Sequence, residues 1–131
     1  MKIILMKEQL IEFKTAKLAK EKGFNWNAQA YYTKHGALEE DVICNNTYNK
    51  HVSIISVPTQ SLLQKWLREK HELIVLPEVW WERGKIVYDI TVFKPHKDNL
   101  GIYQIIENNL TFNSYEEALE AGLQEALKLI K

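Results

Sequence analysis

Ser114-Tyr115-Glu116-Glu117-Ala118-Leu119-Glu120-Ala121-Gly122-Leu123-Gln124-Glu125-Ala126-Leu127-Lys128-Leu129-Ile130 is the stretch whose reading decides the fold. Tyr115, Ala118, Leu119, Gly122, Leu123, Ala126, Leu127 and Ile130 recur at alternating steps of three and one, the spacing of one face of a helix. Ser114, with Glu117 three residues on, forms a capping box that meets two free amides at the helix start. A helix with a single apolar stripe must cover something, and three strand patterns lie just upstream.

The first strand pattern covers residues 73–81 and is interrupted by Pro77, which cannot donate to a ladder; it therefore reads as an edge strand or a bulged one. Glu82-Arg83-Gly84-Lys85 reads as a tight hairpin, with Gly84 free to take positive φ. Residues 86–93 form the second strand, with Ile86, Tyr88, Ile90 and Val92 on one face. Residues 95–101 turn the chain into a third strand over 102–107. Ahead of this sheet, Pro58 ends an extended segment, and Thr59 or Ser61 caps a helix over 59–71 that turns Leu62, Leu63, Trp66 and Leu67 inward.

Adjacent strand residues point to opposite faces, so Trp80 and Trp81 must diverge. Pairing Glu82 with Lys85 sets Trp81 opposite Ile86, on the face expected to be buried beneath the helices. Trp80 then lies opposite Val87, beside Asp89, Thr91 and Phe93 on the second face. Either residues 1–57 cover that second face, or Trp80, Val87, Asp89, Thr91 and Phe93 form a contact surface for a partner or a second copy. Gly122 on the core stripe implies close approach of helix and sheet, since glycine costs about 1 kcal/mol in a helix relative to alanine.

The N-terminal part is less patterned. Residues 1–13 fit a strand or an early helix. Residues 15–22 read as a short helix stopped by Gly23, with Phe24 folding back on its last turn. Its Lys14, Lys17, Lys20 and Lys22 are most simply a solvated face. Ala30 to Thr33 and the alternation Val52, Ile54, Val57 allow short strands, while Glu39-Glu40-Asp41 and Asn45-Asn46 read as turns or loop.

At 131 residues, 46% of them hydrophobic and 26% charged, the chain suits one domain with a real core. Lys+Arg and Asp+Glu both number 17, which argues against a globally basic nucleic-acid binder. Cys44 is the only cysteine, so no intrachain disulfide or multi-cysteine zinc site can form, in keeping with a reducing compartment. The apolar run over residues 3–6, ended by Lys7 and Glu8, is too short for a signal-peptide core or a membrane span. A cytoplasmic location is the expectation.

Two stretches carry a resemblance: Pro58-Thr59-Gln60-Ser61-Leu62-Leu63-Gln64-Lys65-Trp66-Leu67-Arg68-Glu69-Lys70-His71 and Tyr115-Glu116-Glu117-Ala118-Leu119-Glu120-Ala121-Gly122-Leu123-Gln124-Glu125-Ala126-Leu127. With Lys20-Glu21-Lys22-Gly23-Phe24 they resemble a family of small uncharacterised proteins of bacteria and their phages or prophages. The resemblance implies a bacterial or phage origin and brings no activity. At fold level the αβββα order is similar to a double-stranded-RNA-binding domain. That family uses a Gly-Pro-x-His loop and lysines opening the last helix; here the loop is Arg83-Gly84 and the helix opens Ser114, Tyr115, Glu116, Glu117, whose carboxylates repel phosphate.

Catalytic patterns are weak. Asp89 could serve as the strand carboxylate of a restriction-endonuclease-like core, but the third strand, Gln104-Ile105-Ile106-Glu107-Asn108, lacks the Glu-x-Lys pair, whose match Glu12-Phe13-Lys14 lies far upstream. His35 and Glu39 beside Glu40 and Asp41 read more simply as a polar turn than as a metal site. Cys44 has only His51 nearby as a base, and His71 and His96 stand singly near element ends, His71 where a helix C-terminus favours a cation. No catalytic, metal-binding or cofactor-binding residue is therefore named, and no cofactor is expected.

The expected fold is α+β: a three-stranded antiparallel sheet with the helices at 59–71 and 114–130 on one face, preceded by an N-terminal region (1–57) with a short helix and irregular or short-stranded segments. The expected function is that of a phage- or prophage-related accessory protein binding another protein, either an unidentified partner or a second copy, with no membrane role. The alternative is a nucleic-acid-binding module using Lys14, Lys17, Lys20, Lys22, Lys65, Arg68 and Lys70; an enzyme ranks third.

Overall fold

The computed structural model describes residues 8–40, 46–95 and 102–131, with backbone alone over 102–109. In chain order the elements are α1 (Phe13–Glu21), β1 (Ala30–Thr33), β2 (Leu38–Glu40), a 3-10 turn (Tyr48–Lys50), β3 (Ile54–Ser56), α2 (Gln60–His71), β4 (Ile74–Glu82), β5 (Lys85–Pro95), β6 (Ile102–Phe112) and α3 (Tyr115–Lys128). The α+β class holds; α2 and α3 begin at their sequence caps, while α1 starts at Phe13, two residues before the expected start, with no capping side chain at Glu12. Ser114 Oγ accepts from the Glu117 amide at 3.1 Å and Thr59 Oγ1 from the Leu62 amide at 3.2 Å, which makes Thr59 rather than Ser61 the cap of α2. Gly23 takes φ +93°, and the Phe24 amide returns to the Ala19 carbonyl at 3.0 Å to close α1.

Strands β4, β5 and β6 form an antiparallel sheet with β5 in the middle and β4 at an edge, the first of the two placements Pro77 allows. Arg83 and Gly84 both have positive φ, the two-residue hairpin turn whose twist matches its strands. Glu82 pairs with Lys85, Trp81 with Ile86, Trp80 with Val87, and the register runs unbroken to Ile74 opposite Phe93. Strand β6 extends to Phe112, beyond the expected end at residue 107. Its pairing with β5 shifts between Tyr88–Phe112 and Ile90–Asn108, so Asn108 and Asn109, poor strand formers, sit at an irregularity rather than a terminus.

Helix α3 is the centre of the molecule, in contact with all of β4, β5 and β6 and with α1 and α2. A Cβ built on Gly122 falls closer than 3.0 Å to Ile90 Cγ1, Ile90 Cδ1 and Val75 Cγ1. Gly122→Ala is therefore expected to destabilise the chain by about 1–3 kcal/mol through overpacking, against the roughly 1 kcal/mol that helix propensity returns. Denaturant unfolding checks this; a raised midpoint contradicts it.

The N-terminal region departs from expectation in two ways. It is not mainly irregular: β1, β2 and β3 make a second antiparallel sheet in the order β2-β1-β3, and Glu39 and Glu40, expected in a turn, lie in β2. Val52, expected to belong to a strand, is fully exposed. Nor do its described residues pack mainly on the β4–β6 sheet. They pack on the helices from the other side. Thr15 of α1 bonds Glu120 and Gln124, about 200° around α3 from Gly122, and Phe24 meets Trp66 of α2 edge-on at 5.4 Å. One hydrophobic cluster runs from Ile11 and Phe24 through Leu67 and Ile90 to Leu127, joining the two halves.

Candidate functional site

Lengths explain the most unusual surface. A nine-residue β4 spans roughly 30 Å and a 14-residue α3 roughly 21 Å, so the hairpin outruns the helix that covers it. Tyr115, the first residue of α3, meets Tyr88 edge-on with ring centroids 6.2 Å apart, marking where the cover stops. Beyond it on the same face lie Val79, Trp81 and Ile86, exposed by 63%, 72% and 52%. The expectation that Trp81 is buried is thus corrected: it lies on the helix-side face but past the end of the helix.

On the second face Trp80 is 53% exposed, and its Nε1 donates to Asp89 Oδ2 at 2.7 Å. Asp89 Oδ1 is buried without a hydrogen-bond partner among the described residues. Asp89 and Phe93 are half-buried, but Val87 and Thr91 are buried and offer no contact area, a second correction. Both lie on the central strand β5. Leu76, Glu78 and Glu82 on the edge strand are exposed. Trp80 with Asp89 is thus brought together as expected, while Val79, Trp81 and Ile86 were missed. Comparing strand length with helix length was the signal that could have found them.

The basic residues are dispersed and partly committed. Lys20 Nζ donates to the His51 and Ile54 carbonyls at 2.6 and 2.7 Å, and Lys22 Nζ to the Ile130 carbonyl at 2.7 Å. Lys17 Nζ lies 4.7 Å from the centre of the Phe13 ring. Lys14, Lys65, Arg68 and Lys70 are exposed, with α1 packed on α3 and β3, and α2 on α3 and β4. Lys20 and Lys22 thus hold the fold together and are less free to meet phosphate.

A polar junction that sequence reading missed joins all three helices. Glu120, 5% exposed, accepts from Thr15 Oγ1, from the Glu12 amide at 3.1 Å and from Gln60 Nε2 at 2.9 Å. Gln60 Nε2 also donates to the Glu116 carbonyl at 2.9 Å. Tyr32 donates to the Ile11 carbonyl at 3.1 Å, and burial, then the Glu120 and Glu12 carboxylates, raise its pKa. Glu120 has a partner on each oxygen, so the cluster reads as a structural junction.

His71 ends α2 as expected, but partial burial, in edge-on contact with Trp66, lowers its pKa, so desolvation opposes the cation that the helix end favours. Cys44, Asp41 and His96 lie outside the described residues. Among the described residues no three His, Cys, Asp or Glu side chains stand together as a metal site. A groove of about 410 Å³ bordered by Leu10, Trp26, Ala28, Val57, Pro58 and Leu62 is mainly apolar. No helix among the described residues is long and apolar enough to cross a membrane. Comparison of the chain with protein-family models, curated proteins and solved structures found no match.

Proposed function

We propose that this chain is a binding protein, a phage- or prophage-related accessory factor that engages another protein through the projecting β4–β5 hairpin. The observation that supports this reading is the exposure of Val79, Trp80, Trp81 and Ile86 on a hairpin that outruns its covering helix. Large aromatics flanked by polar anchors such as Asp89 and Glu78 are the mix that contact surfaces favour. The double-stranded-RNA-binding mode is set aside, because its contacts would fall on a two-residue turn and on a helix opening with Glu116 and Glu117.

Truncating an interfacial tryptophan often costs 2 kcal/mol or more, on the order of a thirtyfold loss of affinity. Trp80→Ala is therefore expected to weaken partner binding by about that factor while leaving stability within about 1 kcal/mol. Quantitative capture on immobilised wild-type and variant chains, paired with denaturant unfolding of both, checks it. Equal retention by the two chains, or an unfolded variant, counts against the reading.

A further inference from the structure

The open edge of β4 points to the form of the partner. In a two-residue hairpin the residues flanking the turn, Glu82 and Lys85, exchange both main-chain hydrogen bonds. Alternation then turns the main-chain groups of Trp80 and Glu78 toward β5 and those of Val75, Pro77, Val79 and Trp81 away from the sheet. The first half of this outer edge is closed: Gln64 Nε2 donates to the Val75 carbonyl at 2.6 Å, and Pro77 has no N–H. Sheet order ends at β4, so the N–H and C=O groups of Val79 and Trp81 face outward with no strand beside them among the described residues.

Side chains along this open edge alternate in chemistry. Val79 and Trp81 present apolar surface on the helix side, while Glu78, Trp80 and Glu82 present carboxylates around an indole on the other, with Asp89 behind Glu78 and Lys85 behind Glu82. We infer that the hairpin binds an extended segment of a partner protein by strand addition at Val79–Trp81, and that this segment alternates apolar with basic residues. The inference rests on the reading of the hairpin as a contact surface. Main-chain pairing supplies the affinity, apolar side chains cover Val79 and Trp81, and lysine or arginine meets Glu78, Glu82 and the Trp80 face. A second copy fits less well in the register that overlaps the open edge fully: pairing Val79 with Trp81 of another chain sets Glu78 opposite Glu82 twice, and like charges opposite each other destabilise a ladder. The same carboxylates repel an anionic membrane.

The probe is a blocked peptide of about eight residues alternating lysine and valine, titrated into the isotopically labelled full chain and followed by amide resonances. Its glutamate–valine counterpart and an N-methylated lysine–valine form serve as controls. The expected result is that the Val79 and Trp81 amides shift most and that the lysine peptide binds about tenfold tighter than the glutamate peptide at low salt. N-methylation of the peptide, or Val79→Pro in the chain, should abolish the shifts. Val79→Pro removes an outward N–H and leaves the β4–β5 ladder its own donors; if this variant fails to fold, the N-methylated peptide decides. The proposal is overturned if the lysine peptide leaves the Val79 and Trp81 amides unmoved, or if the N-methylated form binds equally well. It is also overturned if those amides shift with protein concentration alone, which assigns the edge to a second copy, or if only lipid vesicles move them. Loss of binding in Trp80→Ala with full binding in a folded Val79→Pro variant keeps the contact surface and rejects strand addition.

Discussion

Leu123→Ala is expected to lower the stability of the chain by about 2–5 kcal/mol, the range for emptying a well-packed leucine site. Leu123 is fully buried in the mid-stripe of α3, the element that contacts the whole β4–β6 sheet together with α1 and α2. That placement governs the size of the effect. A helix at the edge of a protein can shift to close a cavity, but α3 is held from two sides, and collapse toward the sheet strains the helix contacts behind it. Denaturant unfolding measures the loss as a lower midpoint at unchanged slope. An unaltered midpoint contradicts the central position of α3.

Glu120→Ala is expected to cost about 1–3 kcal/mol, because the fully buried Thr15 hydroxyl loses its acceptor and keeps only the bond it accepts from Gln124 Nε2, and the Glu12 amide at the start of α1 loses its partner. Gln60 is affected less, since its Nε2 keeps the Glu116 carbonyl. Glu120→Gln preserves an acceptor oxygen and the side-chain shape, but gives up the negative charge beside the α1 N-terminus. It should fall between the wild type and Glu120→Ala. The ordering is the decisive readout from the same unfolding experiment: equal stability of all three chains would show that the junction holds nothing together.

These two positions also separate what could be read along the chain from what could not. The stripe containing Leu123 has a helical period, and Ser114 marks its start, so the buried face of α3 was legible. Glu120 falls just outside that stripe, flanking Leu123 and Leu127 and roughly 160° around the helix from Gly122. A charged residue there reads as solvated until a second layer is known to cover it, and that layer comes from α1, more than a hundred residues away in sequence. Strands β1, β2 and β3 were only partly legible for a related reason: each has three or four residues, too few for alternation to stand out, and Glu39 and Glu40 of β2 carry turn chemistry. Of the contact surface, Trp80 and Asp89 followed from register, but the burial of Val87 and Thr91 on the central strand did not.

By itself the sequence determined what local rules control: the caps of α2 and α3, the Arg83-Gly84 turn with the register that follows from it, the choice of edge or bulge that Pro77 imposes on β4, and the close helix–sheet contact at Gly122. Each rests on residues adjacent in the chain or on one periodic stripe. Tertiary structure alone decided which faces were covered. The described N-terminal residues pack on the helices, and Trp81, on the face the pattern assigns to the core, stands exposed because a residue advances a strand by about 3.3 Å and a helix by only about 1.5 Å.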